Sequence, residues 1–194
     1  MTGPWFRQFM GEHMDRRIER TRAAVVRATV ALVADRGAQV GMTEIADAAG
    51  VSRKAVYENF GSRDQVLRRT TESLLEQVPL DLDAARAAGG SPWDAVLPPI
   101  ARHVEQFRAF YRAVLSGPGC FMVRDAVVDH AVAGLRDVRE QQGAAPGEDE
   151  GECDRFIVHG LVGVISDSLV QHLQADLQGL VRKLTSGLST TVSC

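Results

Sequence analysis

The stretch Ile45–Phe60, reading IADAAGVSRKAVYENF, constrains this chain more than any other. Met42, Ile45, Ala46 and Ala49 recur at helical spacing, which predicts a short helix from about Met42 to Ala49. Gly50 follows, the residue that tolerates the left-handed backbone needed to leave a helix sharply. Ser52 then stands where an N-cap belongs, its hydroxyl placed to accept from backbone N–H groups ahead. A second helix is predicted from about Arg53 to Phe60. Val56 and Phe60 share its inner side, and Arg53, Lys54, Ala55 and Glu58 are left outside. Two helices crossing steeply need a small residue at the contact (Ala46), a glycine in the turn (Gly50) and a β-branched lock on the second helix (Val56). This is the pattern of a helix-turn-helix, whose second helix presents its outer face to a major groove. Arg53 and Lys54 suit guanine or phosphate oxygens, and Ala55 is small enough to meet a thymine methyl. The same pattern also fits an ordinary helical hairpin with a solvated charged face.

A longer run narrows the choice. Ile45-Ala46-x-x-Ala49-Gly50-Val51-Ser52-x-x-x-Val56-Tyr57-x-x-Phe60-x-Ser62-Arg63-Asp64-x-x-Leu67 continues upstream through Val25-x-x-Ala28-Thr29-x-x-Leu32-Val33-x-x-x-Gly37. Over roughly Arg17 to Leu75 the chain resembles the DNA-binding domain of the TetR family of bacterial transcriptional regulators. Two positions depart from that family's pattern. Gly41 stands where a threonine usually caps the first helix of the motif, and brings no hydroxyl for a phosphate. Asn59 stands where histidine or tyrosine is common. The resemblance implies a DNA-contacting set of Thr43, Ser52, Arg53, Lys54, Ala55, Tyr57, Asn59 and Arg63. Arg63 lies in the first turn of the next helix, where the family usually has a phosphate-binding lysine.

The chain has 194 residues, nearly half of them hydrophobic, with mixed charge and a net charge of −3. That suits one compact unit, or a small domain plus a larger one, and excludes a disordered chain. Residues 1–78 carry 12 Lys/Arg against 10 Asp/Glu, and residues 79–194 carry 10 against 15. The basic excess therefore travels with the helix-turn-helix, and the acidic remainder is repelled by DNA. No apolar run approaches the roughly 18 residues that span a bilayer, and the N-terminus lacks a signal peptide's apolar stretch, so the expected place is the cytoplasm, with no membrane partner. Cys120, Cys153 and Cys194 are far apart with no CxxC, and are expected to be reduced.

Taken in order, residues 1–15 read as a flexible N-terminal arm and residues 16–62 as a three-helix DNA-binding domain. Residues 63–194 read as a helical regulatory and dimerisation domain, with helix 63–78 linking the two. The fold class is all-α. The first helix is expected from about Arg16 to Arg36, on the stripe Ile18, Arg22, Val25, Thr29, Leu32 and Val33. Pro79 to Ser91 reads as a linker. Ser91-Pro92 opens a helix to about Gln106 that Pro98-Pro99 should kink or delay. Further helices are expected over Phe107–Ser116, Phe121–Gln141, Glu152–Leu173 and Asp176–Ser189, with a loop from Gly143 to Gly151.

The second half resembles the family's regulatory domain in pattern only. The resemblance implies a homodimer reading a palindromic double-stranded operator, and an unidentified small-molecule effector that releases a repressor. Phe156, Gly160, Gly163, Val164, Leu177, Leu180, Val181 and Leu184 are the candidate dimer interface; an ordinary monomer core fits the same residues. His103, Phe107, Phe110, Tyr111, Phe121, Met122, Phe156 and His159 are the candidate lining of a pocket for an apolar ligand, and they too fit a plain core. Two other classes compete. A metal-dependent helical enzyme needs Glu-x-x-His pairs or similar ligand spacing, and the sequence has none, so no catalytic residue, metal or cofactor is expected. A helical ligand-binding or protein-interaction module without specific DNA binding also fits the departures at Gly41 and Asn59.

Overall fold

The computed structural model describes residues 4–79, 91–143, 150–172 and 174–191. Regular structure among them is entirely α-helical: α1 (Pro4–Arg36), α2 (Met42–Ala49), α3 (Arg53–Phe60), α4 (Arg63–Leu75), α5 (Pro92–Gln106), α6 (Arg108–Ser116), α7 (Cys120–Gln142), α8 (Glu150–Gln171) and α9 (Leu177–Thr191).

α2 and α3 have eight residues each, too few to hold themselves in water, so they are held by what they bury. Ile45 and Val56 are fully buried and Phe60 is nearly so, against Val25 and Val33 of α1 and Val66 of α4 in one continuous core. Each such side chain contributes about 1.5–3 kcal/mol. Gly50 adopts φ 66°, and the N–H of Val51 returns to the Ala46 carbonyl at 3.0 Å, closing α2 with the turn the sequence predicts. Ser52 Oγ accepts from the Ala55 N–H at 3.1 Å and starts α3.

The larger domain is built from α5 to α9, with α9 packed on α5 and α7 on α8. It meets the smaller domain along two lines: α4 lies on α7, and α6 lies on α1.

Five expectations change. α1 begins at Pro4, so the segment read as a flexible arm is helical from that residue. The arm reading rested on too few apolar residues for a core. An existing helix needs no core to extend, since each added residue closes one more backbone bond. α4 ends at Leu75 rather than Val78; Val78 is buried beyond the helix end. α5 runs unbroken through Pro98 and Pro99. An interior proline costs about 3 kcal/mol, which burial of Trp93, Val96, Leu97, Ile100 and Val104 offsets. Asp94, the residue whose carbonyl loses its partner at Pro98, is exposed to water. Cys153 is disulfide-bonded rather than reduced, while Cys120 is a free thiol; wide spacing along a chain does not report distance in space. α8 starts at Glu150, slightly earlier than expected. Residues 80–90 of the predicted linker and 144–149 of the predicted loop lie outside the described residues, as does Cys194.

Candidate nucleic-acid interface and the cavity behind it

The outer face of α3 carries most of the candidate DNA-contacting side chains. Burying Val56 and Phe60 turns Arg53, Lys54, Tyr57 and Glu58 to solvent, with Ala55 and Asn59 half-buried at the edges. The Arg53 guanidinium lies 5.4 Å from the centre of the Tyr57 ring, and its Nη2 donates to the Tyr57 hydroxyl at 3.4 Å. This contact holds two long side chains on one turn of the helix at little cost. Lys54 Nζ is 3.6 Å from Glu58 Oε1, both well exposed. An exposed pair of this kind is worth well under about 1 kcal/mol and is readily exchanged for a phosphate. Ser52 and Thr43 are exposed at the starts of α3 and α2.

Two residues of the predicted set are differently engaged. Asn59 Nδ2 donates to the Ala55 carbonyl at 2.8 Å, closing on its own helix. Arg63 does not present its guanidinium as a free cation. Nη1 donates to the Ala38 carbonyl at 3.2 Å, Nη2 to Asp64 Oδ1 at 2.9 Å, and Nη2 also reaches the Pro118 carbonyl at 3.5 Å. The Arg63 side chain is 23% exposed. It therefore ties the α1–α2 loop and the α4 start to the α6–α7 turn. That turn fits closely: a Cβ on Gly117 would sit 3.0 Å from Ala38 Cβ, and Gly119, at φ 84°, lies against the Asp64 carboxylate. Arg63→Ala is expected to lower Tm by about 3–6 °C, from charged hydrogen bonds lost in a chain of this size. It should leave the salt dependence of DNA binding unchanged. A salt slope reduced by about one per protomer would return Arg63 to phosphate contact.

Glu44 was missed by the sequence reading. Its Oε2 accepts from the Gly41 N–H at 2.8 Å, and Arg36 Nη1 is 3.5 Å from its other oxygen. The cap that Gly41 cannot supply from a side chain is thus partly replaced from the third helical position. The spacing Gly41-x-x-Glu44 is that of a capping box, so the signal was present in the sequence.

The larger domain encloses a void between α5, α6, α7 and α8, walled by Ile100, Val104, Leu115, Val127 and Leu161 with Tyr111 and Ser166. Of the predicted lining, Tyr111 alone belongs to it. His103, Phe107, Phe110 and Tyr111 do assemble: the His103 ring is 4.9 Å from Phe107 and 5.8 Å from Tyr111, and Phe110 meets Tyr111 edge-on at 5.4 Å. Burial lowers the pKa of His103 and His130, with their mutual proximity adding to the effect at His103. Phe121 is 74% exposed and Phe156 80%, His159 is exposed and Met122 half-buried, so these four do not join the cluster.

The predicted dimer residues also divide. On α8, Phe156, Gly160 and Val164 are exposed and Gly163 is half-buried, with nothing within 4 Å of a Cβ placed on either glycine. On α9, Leu177 and Val181 are buried within the chain's own core, and Leu180 and Leu184 are half-buried. The α9 stripe is taken up by α5, which the sequence pattern could not reveal.

The description "Bacterial regulatory proteins, tetR family" belongs to the family model that matches residues 25–70, the segment from the middle of α1 to α4. Over those residues the chain is similar to the TetR family. A curated relative, the HTH-type transcriptional regulator BetI of Rhizobium meliloti (strain 1021), is 40% identical over 76 residues, which is 39% of this chain. The match spans 37% of that relative's length. The chain shares its fold with a TetR transcriptional regulator from Rhodococcus sp. RHA1, at TM-score 0.65 and 21% identity over 90% of this chain and 99% of the other. It also shares the fold of Thermus thermophilus FadR, a TetR-family transcriptional repressor solved with lauroyl-CoA, at TM-score 0.59 and 20% identity over 89% and 95%. The described residues contain no helix long and apolar enough to cross a membrane.

Proposed function

We propose that this protein is a transcriptional regulator that binds a palindromic double-stranded operator as a homodimer and is released from it by a small-molecule effector. The observation that carries this reading is the outer face of α3, where Arg53, Lys54 and Tyr57 stand exposed on a helix anchored from behind by Val56 and Phe60. One such helix supplies few contacts. Two, related by a twofold axis, read half-sites about one helical turn or a multiple apart. The exposed α8 stripe of Phe156, Gly160 and Val164 supports that pairing, since apolar side chains flanking small residues let a second copy approach closely. Residues 16–62 are the DNA-binding unit and residues 63–194 the regulatory and dimerisation unit. Such a regulator works in the cytoplasm, beside the chromosome.

The coupling is mechanical. α6 contributes Tyr111 and Leu115 to the cavity wall, and the Gly117-Pro118-Gly119 turn after it rests on Ala38, Arg63 and Asp64. A ligand that displaces α6 moves the seat of α4 and with it the spacing of the paired α3 helices. Repression lifts only to the extent that the ligand prefers the displaced state.

The test is selection of bound fragments from genomic DNA, followed by a salt titration on the selected duplex and the mass of the complex in solution. A dimer whose affinity falls steeply and log-linearly with salt is expected, at a slope near −0.9 per phosphate contacted. A monomer that selects no fragment overturns the reading and favours the helical module without DNA binding.

A further inference from the structure

The cavity in the larger domain is apolar with two exceptions. Tyr111 and Ser166 are both among its lining residues, and the buried Tyr111 Oη and Ser166 Oγ have no hydrogen-bond partner. A buried hydroxyl without a partner is a net cost in the empty protein, and two on one void is a pattern that an occupant would relieve. No charged side chain lines the space. Burial also pushes the Tyr111 phenol well up from its ordinary pKa, so it stays a neutral donor across the physiological range. On α7, Arg124 lies one turn before Val127, and its Nη2 is 3.9 Å from Asp167 Oδ1. An anionic ligand would therefore bring an uncompensated charge into an apolar enclosure, at a cost that a hydroxyl pair does not repay.

The void is also narrow. Its volume of about 30 Å³ suits little more than water, so any larger occupant must part the helices around it. α6 is one of them, and it is the helix that ends on the small domain.

We propose that this cavity is the effector seat and that it selects a small uncharged molecule, mainly apolar, with a single hydroxyl or carbonyl end held by Tyr111 and Ser166. The assignment of an effector rests on the regulatory reading above, but binding itself can be measured without DNA. The probes are 4-propylphenol, propylbenzene and 4-propylbenzoate, titrated calorimetrically into the 194-residue chain at pH 7.5. Propylphenol is expected to bind, propylbenzene to bind roughly tenfold more weakly for want of the hydrogen bond, and propylbenzoate not to bind. Tyr111→Phe and Ser166→Ala should each weaken propylphenol about three- to tenfold and leave propylbenzene unchanged. Both variants remove an unpaired buried hydroxyl, so the Tm of the empty protein should hold or rise, which verifies that each is folded. Propylbenzoate binding as tightly as propylphenol, in a manner lost in Arg124→Gln, would overturn the neutral-ligand assignment. No uptake of any probe by folded protein would overturn the site. Uptake with the expected hydroxyl dependence upholds it even where the operator test fails, and that outcome removes the regulatory reading alone.

Discussion

Operator binding by the Arg53→Ala/Lys54→Ala variant is expected to fall at least about 100-fold, with Tm almost unchanged. Both side chains are exposed, and neither contributes to the core that holds α3 in place. Each contact to a base or phosphate is worth about 1–3 kcal/mol, and a symmetric dimer loses every contact twice. The two substitutions should separate when made singly across a set of operator variants. A phosphate contact weakens all sequences alike and lowers the salt slope. A base contact relaxes preference at one position of each half-site. Tyr57 adds a control, because removing its ring frees Arg53 from the contact at 5.4 Å without removing the charge. Full operator affinity in the double variant, measured by fluorescence anisotropy, would exclude α3 as the reading helix.

The largest stability effect is expected far from that surface. Arg139→Met should destabilise the protein by about 3–5 kcal/mol, the usual cost of stranding a buried charge. The Asp154 side chain is 6% exposed and is held by Arg139 through both guanidinium nitrogens, Nη2 to Oδ1 at 2.9 Å and Nη1 to Oδ2. Arg139 also meets Glu150 at 2.9 Å through Nε. The two ends of the pair are therefore not equivalent. Asp154→Ala leaves Arg139 with Glu150 and should cost distinctly less, whereas Arg139→Met leaves a carboxylate inside the α7–α8 contact. Arg139→Met/Asp154→Leu removes both charges and should recover most of the loss. In thermal unfolding the arginine variant is expected to drop by about 10 °C. Equal losses from the two single variants would refute this asymmetry.

The helix-turn-helix was legible because its determinants are local. Gly50 at positive φ, Ser52 capping Ala55, and Val56 with Phe60 one turn apart all act within a few residues. The same holds for the boundaries of α2, α3 and α6. Where a feature depends on what a helix faces, periodicity was silent. Phe121 and Phe156 lie in apolar patterns as regular as that of Tyr111, yet they stand in solvent while Tyr111 is buried. The cavity wall is mostly aliphatic, and a Leu or Val beside a void looks like any other core residue in a sequence.

Arg63 shows the division most plainly. A cation in the first turn of α4 is readable from the chain, and so is its general attraction to an anion. That it meets the carbonyl of Pro118, 55 residues away, is not. Local order, including the all-helical class, the turn, the caps and the outward charge on α3, follows from interactions between near neighbours and so is written along the chain. The void, the two unpartnered hydroxyls and the tie between the domains arise from helices meeting at long range, where many packings satisfy the same pattern and only one leaves those groups where they are.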